Sequence, residues 1–296
     1  MTLRLRPLLL ALLPLALAFA LPRAAAAQVA DTVTVSADTV YEVRLSDGSV
    51  LYGRVMEQTA EELTLETQAG ATVRLRRSQV VSIRPLRGRV VDGRVWGEDP
   101  HATRLFFGPT ARAIPRGEGY FGVYELFFPF VSYGVTDRFT ISGGTPVFPE
   151  IIGEIFYFAP KYEVLRTPAA SAAVGVLALF ATRELNGSAG LLYGVGTLGT
   201  PDRALTVGAT VPFIASGEDS EVGDQPAFMI GGEARLTRRT KFLTENYFVP
   251  GESGALISGG VRFFGERLSA DFGLGAGFGD GDNACCLPLV NFVYSF

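Results

Sequence analysis

The sequence predicts an all-β fold, an up-and-down antiparallel transmembrane β-barrel of about twelve strands (ten is the alternative count), preceded by a smaller β-domain. Three observations carry this. Mean hydropathy is +0.26 with 48% hydrophobic residues, yet after the first residues no apolar run reaches the roughly 20 residues a membrane helix needs; the longest, Ala169 to Ala181, is too short. From Thr103 to Phe296 apolar and polar side chains alternate in segments near the length of a tilted membrane strand. The connections between those segments alternate between tight and long.

The chain opens with Arg4 and Arg6, an apolar run from Leu8 to Leu21 and a small-residue stretch ending at Ala27. This is the pattern of a secretory signal peptide, residues 1–27, with export as its consequence. Taking away its three arginines and no acid moves the net charge from −4 to −7, which argues against nucleic acid as a partner. Residues 28–39 read as a polar leader.

From Val40 to Pro85 the pattern becomes about five short strands. Val43 and Leu45 alternate with charges, Asp47-Gly48 marks a hairpin, and Val50, Tyr52 and Val55 continue the zigzag. Leu63 and Leu65, Val73 and Leu75, then Val80, Val81 and Ile83 follow. The run Val43 to Val55, with Leu63-Thr-Leu65 and Val80-Val-Ser-Ile83, resembles the SH3-like or Sm-like small barrels. Some such folds bind RNA, but residues 40–85 lack a basic-aromatic face. The expectation is a periplasmic interaction or spacer domain that can contact a periplasmic protein. Residues 86–102, with Gly88, Gly93, Gly97 and Pro100, read as a linker.

Twelve strands are expected at 103–113, 119–133, 138–145, 154–165, 170–182, 189–199, 203–214, 226–237, 241–249, 255–264, 268–278 and 288–296. Tight turns follow the even-numbered ones (134–137, 166–169, 200–202, 238–240, 265–267) and longer loops tend to follow the odd ones (146–153, 183–188, 215–225, 279–287). An up-and-down membrane barrel with both ends on its short-turn side has this asymmetry. Phe156, Phe158, Tyr162 and Val164 share one face of their strand, opposite Lys161 and Glu163. Leu268, Phe272, Leu274 and Phe278 lie opposite Ser269, Asp271 and three glycines, which let a barrel wall bend. A soluble sandwich alternates too, but the face opposite the aromatic one here is mostly Gly, Ala, Ser and Thr.

Val290, Phe292, Tyr294 and Phe296 alternate with polar residues at the end of the sequence. This resembles the C-terminal recognition strand of Gram-negative outer-membrane β-barrels, over about 195 residues counting the preceding strands. The resemblance implies outer-membrane lipid as the surroundings, the barrel-assembly machinery as a partner, and Phe292, Tyr294 and Phe296 as the assembly signal.

Strand parity points Arg138, Lys161, Glu163, Glu233, Arg235, Arg262 and Asp271 inward. They would line a polar path or lock a filled lumen. Barrels of about eight strands are filled and those of roughly 16–18 are open, so twelve leaves plug and pore both standing. The function expected is a non-enzymatic outer-membrane barrel, either a narrow channel for small polar solutes or a structural barrel. An outer-membrane lipid-modifying enzyme and a soluble secreted β-sandwich that binds ligands are the alternatives.

The sequence supplies no catalytic residue, metal ligand or cofactor. Its one histidine, His101, reads as a plain surface residue of the linker, and no expected strand contains a histidine to serve a wall-mounted serine. Gly194-Val-Gly196-Thr-Leu-Gly199 has the letters of a dinucleotide fingerprint, but Thr200-Pro201-Asp202 turns into a strand where that site needs a helix. Asp280, Asp282 and Asn283 read as an acidic turn, without the bidentate Glu of a calcium loop. Cys285 and Cys286 are adjacent and staple nothing.

Overall fold

The computed structural model describes residues 39–296, apart from Gln68, Gly93, 150–151, 182–186, 217–218, 251–253 and 280–283. The expected signal peptide, all but the last residue of the expected leader, and the expected acidic turn at Asp280 to Asn283 lie outside the described residues. The chain divides after Arg84 into two compact units.

The first unit holds β1 (Val40–Leu45), β2 (Val50–Gln58), β3 (Glu62–Thr67), β4 (Thr72–Arg76) and β5 (Val80–Pro85), with a 3₁₀ turn at Arg77–Gln79. They pair in the order β4-β3-β2-β1-β5. Tyr41, Val43, Val55, Leu63, Leu65 and Leu75 form its core, the inward members of the period-2 pattern.

The second unit opens with a hairpin, β6 (Gly88–Val91) and β7 (Arg94–Gly97), where the sequence suggested only a linker. Arg89 bridges to Asp202 at 3.1 Å. Both Arg89 and Arg235 lie over the Trp96 ring, at 5.3 and 5.4 Å. Arg87 pairs with Glu118, whose carboxylate holds the guanidinium pKa above its ordinary value.

The barrel is built from β8 (Gly119–Tyr124), β9 (Phe128–Gly134), β10 (Phe139–Gly144), a strand broken into β11 (Ile155–Phe158) and β12 (Lys161–Arg166), β13 (Ala170–Ala181), β14 (Gly187–Thr200) and β15 (Arg203–Ser216). After a short β16 (Asp219–Val222) that pairs only with β15 come β17 (Ala227–Thr237), β18 (Thr240–Val249), β19 (Gly254–Phe264), β20 (Leu268–Phe278) and β21 (Ala284–Ser295). Each wall strand pairs antiparallel with the next, and β21 pairs with β8, Asn291 opposite Tyr124 and Ser295 opposite Tyr120. The sheet therefore closes on itself with twelve strands, counting β11 and β12 as one. A two-layer sandwich is excluded.

The count matches the expectation, but its first two members differ. Residues 103–113, expected as a wall strand, are not in the wall. Residues 119–133, expected as one strand, are the hairpin β8–β9. Its turn uses Glu125 (φ 49°) and Leu126 (φ 63°), conformations that these side chains seldom adopt and that no Gly or Asn signals. The two errors cancel in the parity, so the short turns still share one end. Those turns are tight: Pro201-Asp202 separates the paired Thr200 and Arg203, and Arg238-Arg239 separates Thr237 and Thr240.

Outward residues are apolar around the wall. Phe121, Val131, Tyr162, Val174, Leu198, Leu205, Phe228, Phe242, Phe263, Phe272 and Phe292 are all exposed. No helix among the described residues is long and apolar enough to cross a membrane.

The interior is occupied by the chain itself. Residues 99–114 run into the lumen from the short-turn end, reverse at Gly108-Pro109, and return to start β8. Leu105, Phe106, Ala111 and Ile114 are buried there. Inward glycines make the room: a Cβ on Gly231 would overlap Leu105 Cδ1, and one on Gly273 would stand 3.0 Å from the Phe106 ring. A Cβ on outward Gly194 would meet nothing within 4 Å. Gly231→Leu is thus expected to lower unfolding stability in detergent by about 1–3 kcal/mol through overpacking, and Gly194→Ala to change it little, as read by urea titration.

Candidate functional site: the filled lumen and the cup above it

Small inward side chains on most of the wall leave a few charged ones to decide what the lumen holds. Lys161, Glu163, Glu233, Arg262 and Asp271 point inward and are almost fully buried. Arg235 is inward too, but at the rim: it bridges Asp202 at 2.8 Å and donates to the Gly97 carbonyl at 2.7 Å. Arg138 does not reach the lumen. It sits exposed in the turn after β9, because β10 begins one residue later than the parity assumed.

The buried charges do not line a path. They form a chain of alternating sign with the inserted segment. Arg112 meets Glu233 (2.5 Å), Glu233 meets Lys241 (2.5 Å) and Lys241 meets Asp99 (2.9 Å). Asp99 meets Arg262 (3.1 Å), Arg262 meets Asp271 (2.6 Å) and Asp271 meets Arg104 (2.7 Å). Four of these seven groups come from the wall and three from residues 99–112. In a low-dielectric interior each charge is tolerable only beside its opposites. Sequence parity missed Lys241 and Glu245 on β18, and it missed every partner in the segment.

Wall side chains also cap the segment's backbone, which has no ladder of its own beyond one bridge, Arg104 to Pro109. Glu245 accepts from the amides of Phe107 (3.1 Å) and Gly108 (3.0 Å). Thr197 accepts from Ala111, Glu163 from Ala113 and Thr140 from Ile114. Arg262 donates to the carbonyls of His101 and Leu105, and Asn291 to that of Phe106. These bonds satisfy groups that would otherwise be buried unpaired.

His101 is a correction to the sequence reading. It is fully buried, with Nδ1 at 2.7 Å from Ser269 Oγ and Nε2 at 3.0 Å from Ser295 Oγ, edge-on to Tyr120. Neither His101 nor these serines lines the lumen cavity. No group of three or more metal-ligating side chains occurs among the described residues. Cys285 and Cys286 are free and exposed. Phe292, Tyr294 and Phe296 lie on the outer face, where Phe121 packs against Tyr294 and Phe296.

Above the segment, toward the longer loops, a cup of about 620 Å³ remains. Its walls are mostly aromatic and aliphatic: Tyr120, Tyr124, Phe128, Phe130, Tyr157, Leu177, Leu191, Tyr193, Met229 and Tyr247. Thr103, Arg104, Phe107 and Lys161 also line it.

No family model matches the chain, and no curated protein does. Among solved structures it is similar to a KdgM porin in complex with disordered oligogalacturonate (9% identity, 60% of this chain, 98% of that one, TM-score 0.45). It is also similar to a NanC porin (9%, 60% and 97%, TM-score 0.41) and to OmpTdeltaL8, an outer membrane protein of Vibrio cholerae (15%, 87% and 96%, TM-score 0.37). With TM-scores below 0.5, these likenesses assign neither family nor activity to this chain.

Arg262 touches two carboxylates and three carbonyls of the inserted segment and wall. Arg262→Leu leaves Asp99 and Asp271 each one cation short and is expected to cost about 3–5 kcal/mol, measured by denaturant unfolding of the detergent-solubilised protein. Arg138→Leu, at an exposed turn, is expected to stay within about 0.5 kcal/mol of the parent.

Proposed function

We propose that this chain is a non-enzymatic outer-membrane barrel, closed at its short-turn end by its own residues 99–114, that takes up a small molecule from the long-loop side. The observation that carries this reading is the division of the lumen: a charge-locked segment fills one end and an apolar cup occupies the other. A protein of this size with its aromatic and aliphatic residues outside and its charges inside is built for hydrocarbon surroundings. A channel for small polar solutes, as the inward charges first suggested, requires the segment to leave, because those charges are spent on it. In this reading the segment is the movable part, and release of the alternating charge chain is the step that opens a path.

The unit at residues 40–85 fits the same placement. In this proposal residues 1–27 direct export and the unit at residues 40–85 is periplasmic. We read it as an SH3-like or Sm-like small barrel on the basis of its sequence pattern. A contact with a periplasmic protein is the natural use of such a unit, and a pull through β6–β7 on the segment is a route by which a partner could open the lumen.

Planar bilayer recording tests the proposal. The intact protein is expected to give no steady current, and a variant lacking residues 99–114 to give stable conductance steps. Steady conductance by the intact protein overturns the closed state. Silence of the deletion variant, once heat-modifiable gel migration shows a folded barrel, overturns the plug.

A further inference from the structure

We infer that the cup binds an apolar monocarboxylate, an aryl- or alkyl-carboxylic acid, with its head on the guanidinium of Arg104. The inference rests on the reading of the lumen as a small-molecule site and adds the chemical class of the occupant.

One cation of the cup's lining has unsatisfied donors. Arg104 is 2% exposed, and its Nη1 is fully used, on Asp271 (2.7 Å) and the carbonyls of Leu105 and Phe106. Its Nε and Nη2 are buried with no hydrogen-bond partner. These two atoms form the side edge of the guanidinium, the fork that meets a carboxylate with two parallel hydrogen bonds. Leaving such donors empty costs about as much as a lost charged hydrogen bond, so an acceptor is wanted there.

The surroundings favour an anion. Lys161, the second cation in the lining, donates to the carbonyls of Thr103, Thr110 and Arg112. Among the described residues no carboxylate lies within ion-pair distance of it. The one carboxylate of the lining, Glu125, belongs to the β8–β9 turn at the rim. Tyrosine-rich walls can also cage a cation, but two cations at the base oppose that occupant.

The body of the ligand follows from the walls. Volume and lining suit a compact apolar group, and Thr210 adds one more buried hydroxyl without a partner. An acidic sugar would leave its hydroxyls against Phe130, Leu177, Leu191 and Met229. Tyr124 covers Arg104, the guanidinium carbon 5.6 Å from its ring centre, and stacks on Phe130 at 4.1 Å. The head reaches the fork as Tyr124 swings aside, which places that ring as the cover of the anion site.

Equilibrium dialysis of the full detergent-solubilised protein tests this, with 4-phenylbutyrate, its primary amide, phenylbutyl-trimethylammonium and galacturonate as probes. Heat-modifiable migration is scored on every sample. The acid is expected to bind at least tenfold more tightly than the amide, the ammonium compound or the sugar acid. Arg104→Lys, which keeps the charge facing Asp271 but loses the fork, is expected to lower acid binding at least tenfold and amide binding little. Thr210→Trp, outside the charge chain, is expected to abolish binding by filling the cup. Equal binding of acid and amide, preference for the cation or the sugar acid, or no binding by a folded barrel overturns the carboxylate assignment alone. A sample that never shows a heat-modifiable barrel overturns the membrane reading beneath it as well.

Discussion

The structure depends on one constraint: charges enclosed by a barrel must find opposite charges or leave. Asp99, Arg104 and Arg112 of the inserted segment meet Glu233, Lys241, Arg262 and Asp271 of the wall in strict alternation. Each set completes the other. Without the segment the wall keeps the Glu233–Lys241 and Arg262–Asp271 pairs but loses the partners that Asp99, Arg104 and Arg112 supply, and water must replace them. The segment without the wall is a loop with few hydrogen bonds of its own. A buried ion pair is weak evidence for net stability, but it is strong evidence for a specific arrangement, since removing one partner strands the other.

From that constraint the remaining features follow. The inward glycines at 231 and 273 allow the segment's Leu105 and Phe106 to approach the wall. Threonines and carboxylates at 140, 163, 197 and 245 replace the strand neighbour that the segment's amides lack. Because the segment enters and leaves at the short-turn end, the empty volume remains at the other. Charge thus sits low in the barrel and aromatic surface sits high.

Much of this was legible in the sequence. Period-2 alternation fixed the wall, and the unequal connections fixed which turns share an end. Five of the seven residues chosen by parity, Lys161, Glu163, Glu233, Arg262 and Asp271, are buried inside. Arg138 failed because a one-residue shift of β10 puts it in a turn. The segment was misread because Leu105-Phe106-Phe107 has the composition of a strand, and composition does not say whether a strand joins the sheet or fills it. The Gly108-Pro109 pair was the available signal, a turn dipeptide in the middle of a supposed span. Nothing in Glu125-Leu126-Phe127 announces the β8–β9 reversal. His101 could not be placed from sequence, since its partners Ser269 and Ser295 are distant in the chain.

Amide hydrogen exchange of the detergent-solubilised protein tests the locked lumen most directly. The amides of Phe107, Gly108, Ala111, Ala113 and Ile114 are bonded only to wall side chains. They are expected to exchange as slowly as amides of β18 and β19. Exchange at the rate of the exposed loops would show the segment free of the wall and contradict the locked lumen.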